Sequence, residues 1–280
     1  MKLTSDSTQL SRAAAFKALH ERPGIFVVPN PWDAGSAKML ASLGFEALAT
    51  TSAGLAFSLG KPDGQGAVTR EETLANAKII IAATGLPVSA DLENGYGDDP
   101  EACAATILLA AGAGLAGGSI EDATGHPEDP IYSFELAVER VRAAVAAVRS
   151  LPFPWTLTAR AENLIYGRPD LPDTIRRLQA FAEAGADVLF APGLTTKEDI
   201  GTVVRAVAPR PVNVVMGLNA GSFSLDELSA LGVKRVSLGS SLARAAYGAF
   251  LRASAEVRQR GVFDFAKGTV SYKEINDLFK

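Results

Sequence analysis

One unit repeats along the whole chain: a short apolar run followed by a stretch of helical periodicity. The runs lie at 25–29, 46–51, 87–92, 115–122, 155–160, 187–192, 212–217 and 235–240. They are short and alternate poorly, which is the pattern of parallel strands covered on both faces. Several are entered through a proline, or through a tight turn such as Glu183-Ala184-Gly185-Ala186-Asp187 that joins a helix to the next strand. Between the runs, helices are expected at 36–43, 70–83, 101–113, 134–149, 171–184, 197–208 and 226–231. Thr69 caps the second of these, with Glu71 and Glu72 in its first turn, and Pro100 opens the third. Eight strands alternating with helices in 280 residues predict an α/β fold, a (β/α)8 TIM-type barrel, with an open doubly wound sheet as the alternative. A helix at 10–20 precedes the first strand and is placed to cover the barrel bottom, and residues 241–280 form a C-terminal helical extension. No linker or low-complexity run divides the chain, so 1–280 reads as a single barrel domain.

Composition excludes several classes of function. With 27 basic and 31 acidic side chains the net charge is −4, which provides no basic field for nucleic acid or an anionic membrane. A single cysteine, Cys103, cannot form an internal disulfide, and two histidines cannot build a His-rich zinc site. The polar start carries no secretory signal pattern, and no run reaches the roughly 18 apolar residues of a bilayer span. A soluble cytoplasmic protein without nucleic-acid or membrane partners is the expectation. Neither a G-x-x-x-x-G-K-[ST] motif nor a G-x-G-x-x-G after the first strand is present, which argues against a nucleotide cofactor.

In a barrel, chemistry collects at the C-terminal ends of the strands. The third strand ends in Asp91-Leu92-Glu93-Asn94-Gly95-Tyr96-Gly97-Asp98, the fourth in Glu121-Asp122, and the fifth in Arg160-Ala161-Glu162-Asn163. Four or more carboxylates therefore meet on one rim with a single arginine among them. Such a cluster repels itself, and a hard divalent cation is the usual resolution. Magnesium, with manganese as the substitute, suits Asp91, Glu93 and Glu121; helix caps or ion-pair partners are the plainer reading. Arg160 is placed to grip a substrate carboxylate in a two-pronged contact, or else to pair with Glu162. Thr51-Ser52-Ala53-Gly54 offers small side chains and backbone N–H groups for a second carboxylate, or forms a simple turn. Tyr96 and Tyr132 are candidate hydrogen-bond donors to substrate, with packing as the alternative.

At these residues the sequence resembles the isocitrate lyase/phosphoenolpyruvate mutase superfamily. The matching segments are SAGLAFSLGKPDG (52–64), SADLENGYGD (89–98), GGSIED (117–122), TARAEN (158–163) and EAGADVLFAPG (183–193), and the likeness runs over about 16–247. The resemblance implies that Asp91 binds magnesium directly, with Glu93 and Glu121 acting through water. It places Asp63 on a gating loop, Ser52, Ala53 and Gly54 around a substrate carboxylate, and Arg160 on the substrate. It also implies a 2-oxo or 2-hydroxy acid substrate, a pyruvate-like enolate, and a homotetramer that exchanges its C-terminal helices.

Two segments depart from the pattern. Family lyases carry a K-K/R-C-G-H run after the fourth strand, whereas residues 121–128 here read EDATGHPE, with neither lysine nor cysteine. A Pro-Glu after the sixth strand is replaced by Pro192-Gly193. Cys103 lies in a helix and reads as a buried apolar residue. His126 is the candidate replacement for the missing proton carrier, a solvated loop histidine being its other reading. His20 reads as structural and Lys61 as a solvated loop residue. The expected function is magnesium-dependent cleavage of a carbon–carbon bond in a small 2-oxo or 2-hydroxy dicarboxylate, by lyase or decarboxylase chemistry. Decarboxylation fits the missing base, because the departing carboxylate supplies the electrons. The alternatives are phosphonopyruvate mutase or hydrolase chemistry, for which only Arg160, Lys61 and Arg168 are at hand, and a non-catalytic 2-oxo-acid-binding protein.

Overall fold

The computed structural model describes residues 7–217, 221 and 223–280. Eight parallel strands are present: β1 (Phe26–Val28), β2 (Leu48–Ala49), β3 (Val88–Asp91), β4 (Gly117–Glu121), β5 (Thr156–Arg160), β6 (Val188–Phe190), β7 (Val212–Val215) and β8 (Arg235–Ser237). Their order in the sheet is β1-β8-β7-β6-β5-β4-β3-β2. The two ends of that sheet meet, because the Ala49 N–H donates to Pro29 O at 3.1 Å. Asn30, just after β1, fastens both neighbours of that strand. Its Nδ2 donates to Thr50 O at 2.9 Å, and its Oδ1 accepts from the Leu238 and Gly239 N–H groups at 2.8 and 2.9 Å. The barrel expected from the alternation is the fold observed.

Helices α1 (Ser7–Glu21) and α2 (Ala34–Ser42) flank β1, and α3 (Ser52–Ser58) with α4 (Arg70–Ala83) follows β2. Then come α5 (Pro100–Gly112), α6 (Phe134–Arg149), α7 (Leu171–Ala184), α8 (Lys197–Val207) and α9 (Leu225–Ala230). After β8 the chain continues as α10 (Ser241–Arg260), a short 3-10 turn and α11 (Tyr272–Asp277). Helix α3 has no counterpart in the sequence reading. The strand expected at 46–51 shrinks to two residues, and Thr51 instead caps α3, its Oγ1 accepting from the Gly54 N–H at 3.2 Å. Seven residues are too few to display a helical period. No helix among the described residues is long and apolar enough to cross a membrane.

The shell between strands and helices is apolar, whereas the barrel axis also carries polar side chains. Leu157 and Ala159 on β5 belong to one apolar cluster with Ile107 of α5, Val141 of α6, and Leu178 and Phe181 of α7. The alternate positions on β5, Thr158 and Arg160, turn towards the barrel axis and carry hydrogen bonds there. Phe16 and His20 of α1 close the bottom. They can do so because β4 has glycine there: a Cβ on Gly117 would lie 2.9 Å from Phe16 Cε1 and 2.7 Å from the Thr156 carbonyl oxygen. At the other end of the chain α10 buries only Ala243, while Phe250, Leu251 and Tyr272 are exposed. The C-terminus touches α2, where Lys38 Nζ donates to Phe279 O at 3.4 Å.

Candidate active site

Three adjacent strands end in the charged residues that the sequence placed at the rim. Asp91 closes β3, Glu121 closes β4 and Arg160 closes β5. Arg160 gathers the acids: Nη1 lies 2.8 Å from Asp91 Oδ1, Nη2 3.1 Å from Glu121 Oε2, and Nε 2.8 Å from Glu162 Oε1. The two readings of this arginine therefore coexist, since it pairs with Glu162 and also faces the cavity. Asp91 is fixed from the β2 side. Its N–H donates to Thr50 Oγ1 at 2.9 Å, and its Oδ2 accepts from the Ser52 N–H at 3.3 Å.

The segment after β3 takes an unusual path. Glu93 and Tyr96 adopt φ of 46° and 61°, in the left-handed region that non-glycine residues seldom occupy. Arg140 of α6, 1% exposed, holds this path by donating to the carbonyls of Asn94, Gly97 and Asp98. Its guanidinium also lies 4.1 Å from the centre of the Tyr132 ring. Tyr132 donates to Asp98 Oδ1 at 2.6 Å, and Tyr96 to Thr73 Oγ1 at 2.8 Å. Both tyrosine hydroxyls, candidates for contacting substrate, are thus committed to building the loop. Cys103 is fully buried against the Asn94 carbonyl, and burial pushes its thiol up to about 11.

Asp91, Glu121 and Glu162 pair with the guanidinium of Arg160, and the carboxyl groups of Asp63 and Glu93 lie within reach of its charge. Loss of water, then the charges of Asp91 and Asp63, raise Glu93 to about 7. Burial also raises Glu121 and Glu162, and repulsion from neighbouring acids adds to it. Asp63 is raised by the protein around its carboxyl group and by Asp91, although it keeps a hydrogen bond with Ser52. Among the described residues no three His, Cys, Asp or Glu side chains converge closely enough to form a metal cage. The donor set nevertheless fits a hard cation bound by few protein oxygens, because surplus carboxylate charge is what such an ion offsets. Asp91 could bind it directly, and Glu93 and Glu121 through water.

A cavity of about 330 Å³ opens at this rim and descends into the barrel. Of the residues proposed from sequence, Ser52, Ala53, Asp63, Asp91 and Arg160 line it. Glu121 reaches it through Arg160, while Glu93 faces a neighbouring groove that also holds His126. Gly54 lies on the buried side of α3, its N–H taken by Thr51, and a Cβ there would come within 3.1 Å of Trp32. His126 is exposed and stands outside the main cavity. Lys61 pairs with Glu72 at 2.6 Å, and Arg168 lies 3.5 Å from Asp129. Sequence reasoning missed the lower half of the cavity, where Asn213, Arg235 and Ser237 line the wall. Their only signal is polar residues at alternate positions of two otherwise apolar strands.

The comparisons agree with this geometry. The family model for phosphoenolpyruvate phosphomutase matches residues 16–258. A crystal structure from Burkholderia cenocepacia J2315, described only as a lyase or mutase, superposes with a TM-score of 0.95 at 59% identity, covering 98% of this chain and 97% of that one. 2,3-Dimethylmalate lyase of Eubacterium barkeri is 30% identical over 231 residues, 80% of this chain and 78% of that protein. Oxaloacetate acetylhydrolase in complex with its product oxalate gives a TM-score of 0.86 at 28% identity, covering 96% of this chain and 94% of that one.

Proposed function

The chain belongs to the phosphoenolpyruvate mutase/isocitrate lyase superfamily, and from that premise we propose that it cleaves a carbon–carbon bond in a small 2-oxo or 2-hydroxy dicarboxylate with the help of magnesium. The observation that carries this reading is the gathering of Asp91, Glu121 and Glu162 on Arg160 at the mouth of the cavity, with the carboxyl groups of Asp63 and Glu93 near by. When bound, the cation would supply an electrostatic sink for negative charge developing on the substrate's 2-oxygen. Asp91, Glu93 and Glu121 are the residues that would hold it, with manganese as a substitute. Arg160 fixes the substrate carboxylate next to that oxygen with the donors its three carboxylate contacts leave free. The Ala53 N–H, at the first turn of α3, lines the same wall and faces the same carboxylate. Asp63 lines the cavity and His126 does not, so Asp63 is the better placed to carry a proton, at the oxygen that bonds Ser52. Decarboxylation remains the step that asks least of such a site.

Phosphonate chemistry is less well supported, because Lys61 and Arg168 are paired away from the cavity. The exposed Phe250, Leu251 and Tyr272 support C-terminal helices that pack against another copy, in a tetramer, and the cytoplasm is the compartment proposed. Proton NMR of the purified protein with oxaloacetate, isocitrate, 2-methylisocitrate, substituted malates and phosphonopyruvate, with magnesium and then with excess EDTA, tests the reaction. The expected outcome is metal-dependent conversion of one dicarboxylate into two smaller products, abolished in Asp91→Asn. Turnover of phosphonopyruvate alone would replace the proposal with the phosphonate reading, and metal-dependent binding without turnover would replace it with a binding role.

A further inference from the structure

The mid-depth layer of this barrel is built from the wrong residues for a packed core. Barrel axes are ordinarily filled with bulky branched side chains. Here the cavity wall carries Ser89, Ser119, Asn213 and Arg235. Arg235 is 5% exposed, yet no carboxylate among the described residues pairs with it. Its Nε donates to Asn213 Oδ1 at 2.8 Å and its Nη2 to Thr158 Oγ1 at 2.9 Å. Its Nη1 lies 3.3 Å from His20 Nε2. His20 Nδ1 lies 2.8 Å from the Phe16 carbonyl, so Nδ1 carries the proton and Nε2 accepts. All three partners are neutral, and a buried cation compensated only by neutral groups is costly. A guanidinium has five N–H donors, and these contacts use three of them. The two left over belong to a group that lines the cavity.

We propose that Arg235, with Asn213 beside it, forms a second anion subsite at the cavity floor, which takes the distal carboxylate of the substrate while Arg160 holds the proximal one. The spacing supports this. Thr158, which binds Arg235, is one inward position below Arg160 on β5. Two strand residues differ in height by about 6.6 Å along the strand, so the two guanidinium groups line one cavity at different depths. The floor therefore selects for a second negative charge. The inference rests on the dicarboxylate reading above and adds a residue that reads the far end of the substrate.

The test is calorimetric binding of succinate and of succinamate, which has the same length but one charge fewer, to the magnesium-loaded protein. Oxaloacetate and pyruvate form a second pair. Wild type should bind the dianion of each pair at least tenfold more tightly. Arg235→Met should abolish that preference while keeping affinity for the monoanion, and Arg235→Lys should retain part of it. A thermal melt without ligand separates this role from scaffolding: Arg235→Met should melt close to wild type, since losing an uncompensated buried charge offsets the three acceptors left unpaired. If the variant keeps the dianion preference, or melts markedly lower and loses both ligands together, Arg235 is structural and the inference fails. If wild type binds none of the four ligands, the dicarboxylate reading itself fails, and the subsite with it.

Discussion

Edge-on contacts to Phe16 and Phe26, at 4.8 and 4.9 Å between ring centres, cover most of the His20 ring and leave it only partly exposed. Burial, and then the nearby charge of Arg235, lower its pKa from 6.5 to about 3. The unfolded chain takes up a proton below about pH 6.5, whereas the folded chain refuses it until about pH 3. Folding free energy is therefore lost as pH falls through that window. Between pH 6.5 and 4.5, urea unfolding of wild type should lose about 2–3 kcal/mol more than that of His20→Gln. Equal losses would mean that the imidazole is not held neutral. Legibility at this scale depended on position within a strand. Asp91, Glu121 and Arg160 were readable because strand ends in a barrel point at one rim. Arg235 was not, because an arginine opening a strand looks like one that faces solvent at the barrel bottom. Only the closed ring of strands shows that it points inward.

At the scale of elements, the loop after β3 depends on a helix three elements further along the chain. Arg140 of α6 satisfies three carbonyls of that loop and stacks on Tyr132, so the strained φ values of Glu93 and Tyr96 are held from outside. Arg140→Met strands those carbonyls and should cost about 2–4 kcal/mol in urea unfolding. It should also lower turnover more than it weakens substrate binding, because Arg140 positions Glu93 and touches no substrate. Helices α4, α6 and α7 were readable to the residue, α6 and α7 through their apolar stripes and α4 through the Thr69 cap and the acids of its first turn. Helix α3 was not, because its capping threonine and the small residues Ser52, Ala53 and Gly54 that open it equally describe a turn.

For the whole molecule, the difference between a close-packed apolar shell and a hollow, partly polar axis makes substitutions on the two sides unequal. Ile107→Ala, in the shell between helices and strands, should cost about 2–5 kcal/mol. Ser119→Ala, on the cavity wall, should change unfolding free energy by less than about 1 kcal/mol. Urea denaturation of the pair checks the contrast, and comparable losses would mean that the axis contributes to the core after all. If the contrast holds, the residues that choose a substrate and the residues that keep the chain folded are largely separate sets. Descendants of such a barrel can then exchange the lining of the axis one side chain at a time, each intermediate still folded. New specificities become accessible by drift through neighbouring sequences, without any ancestor having to fold anew.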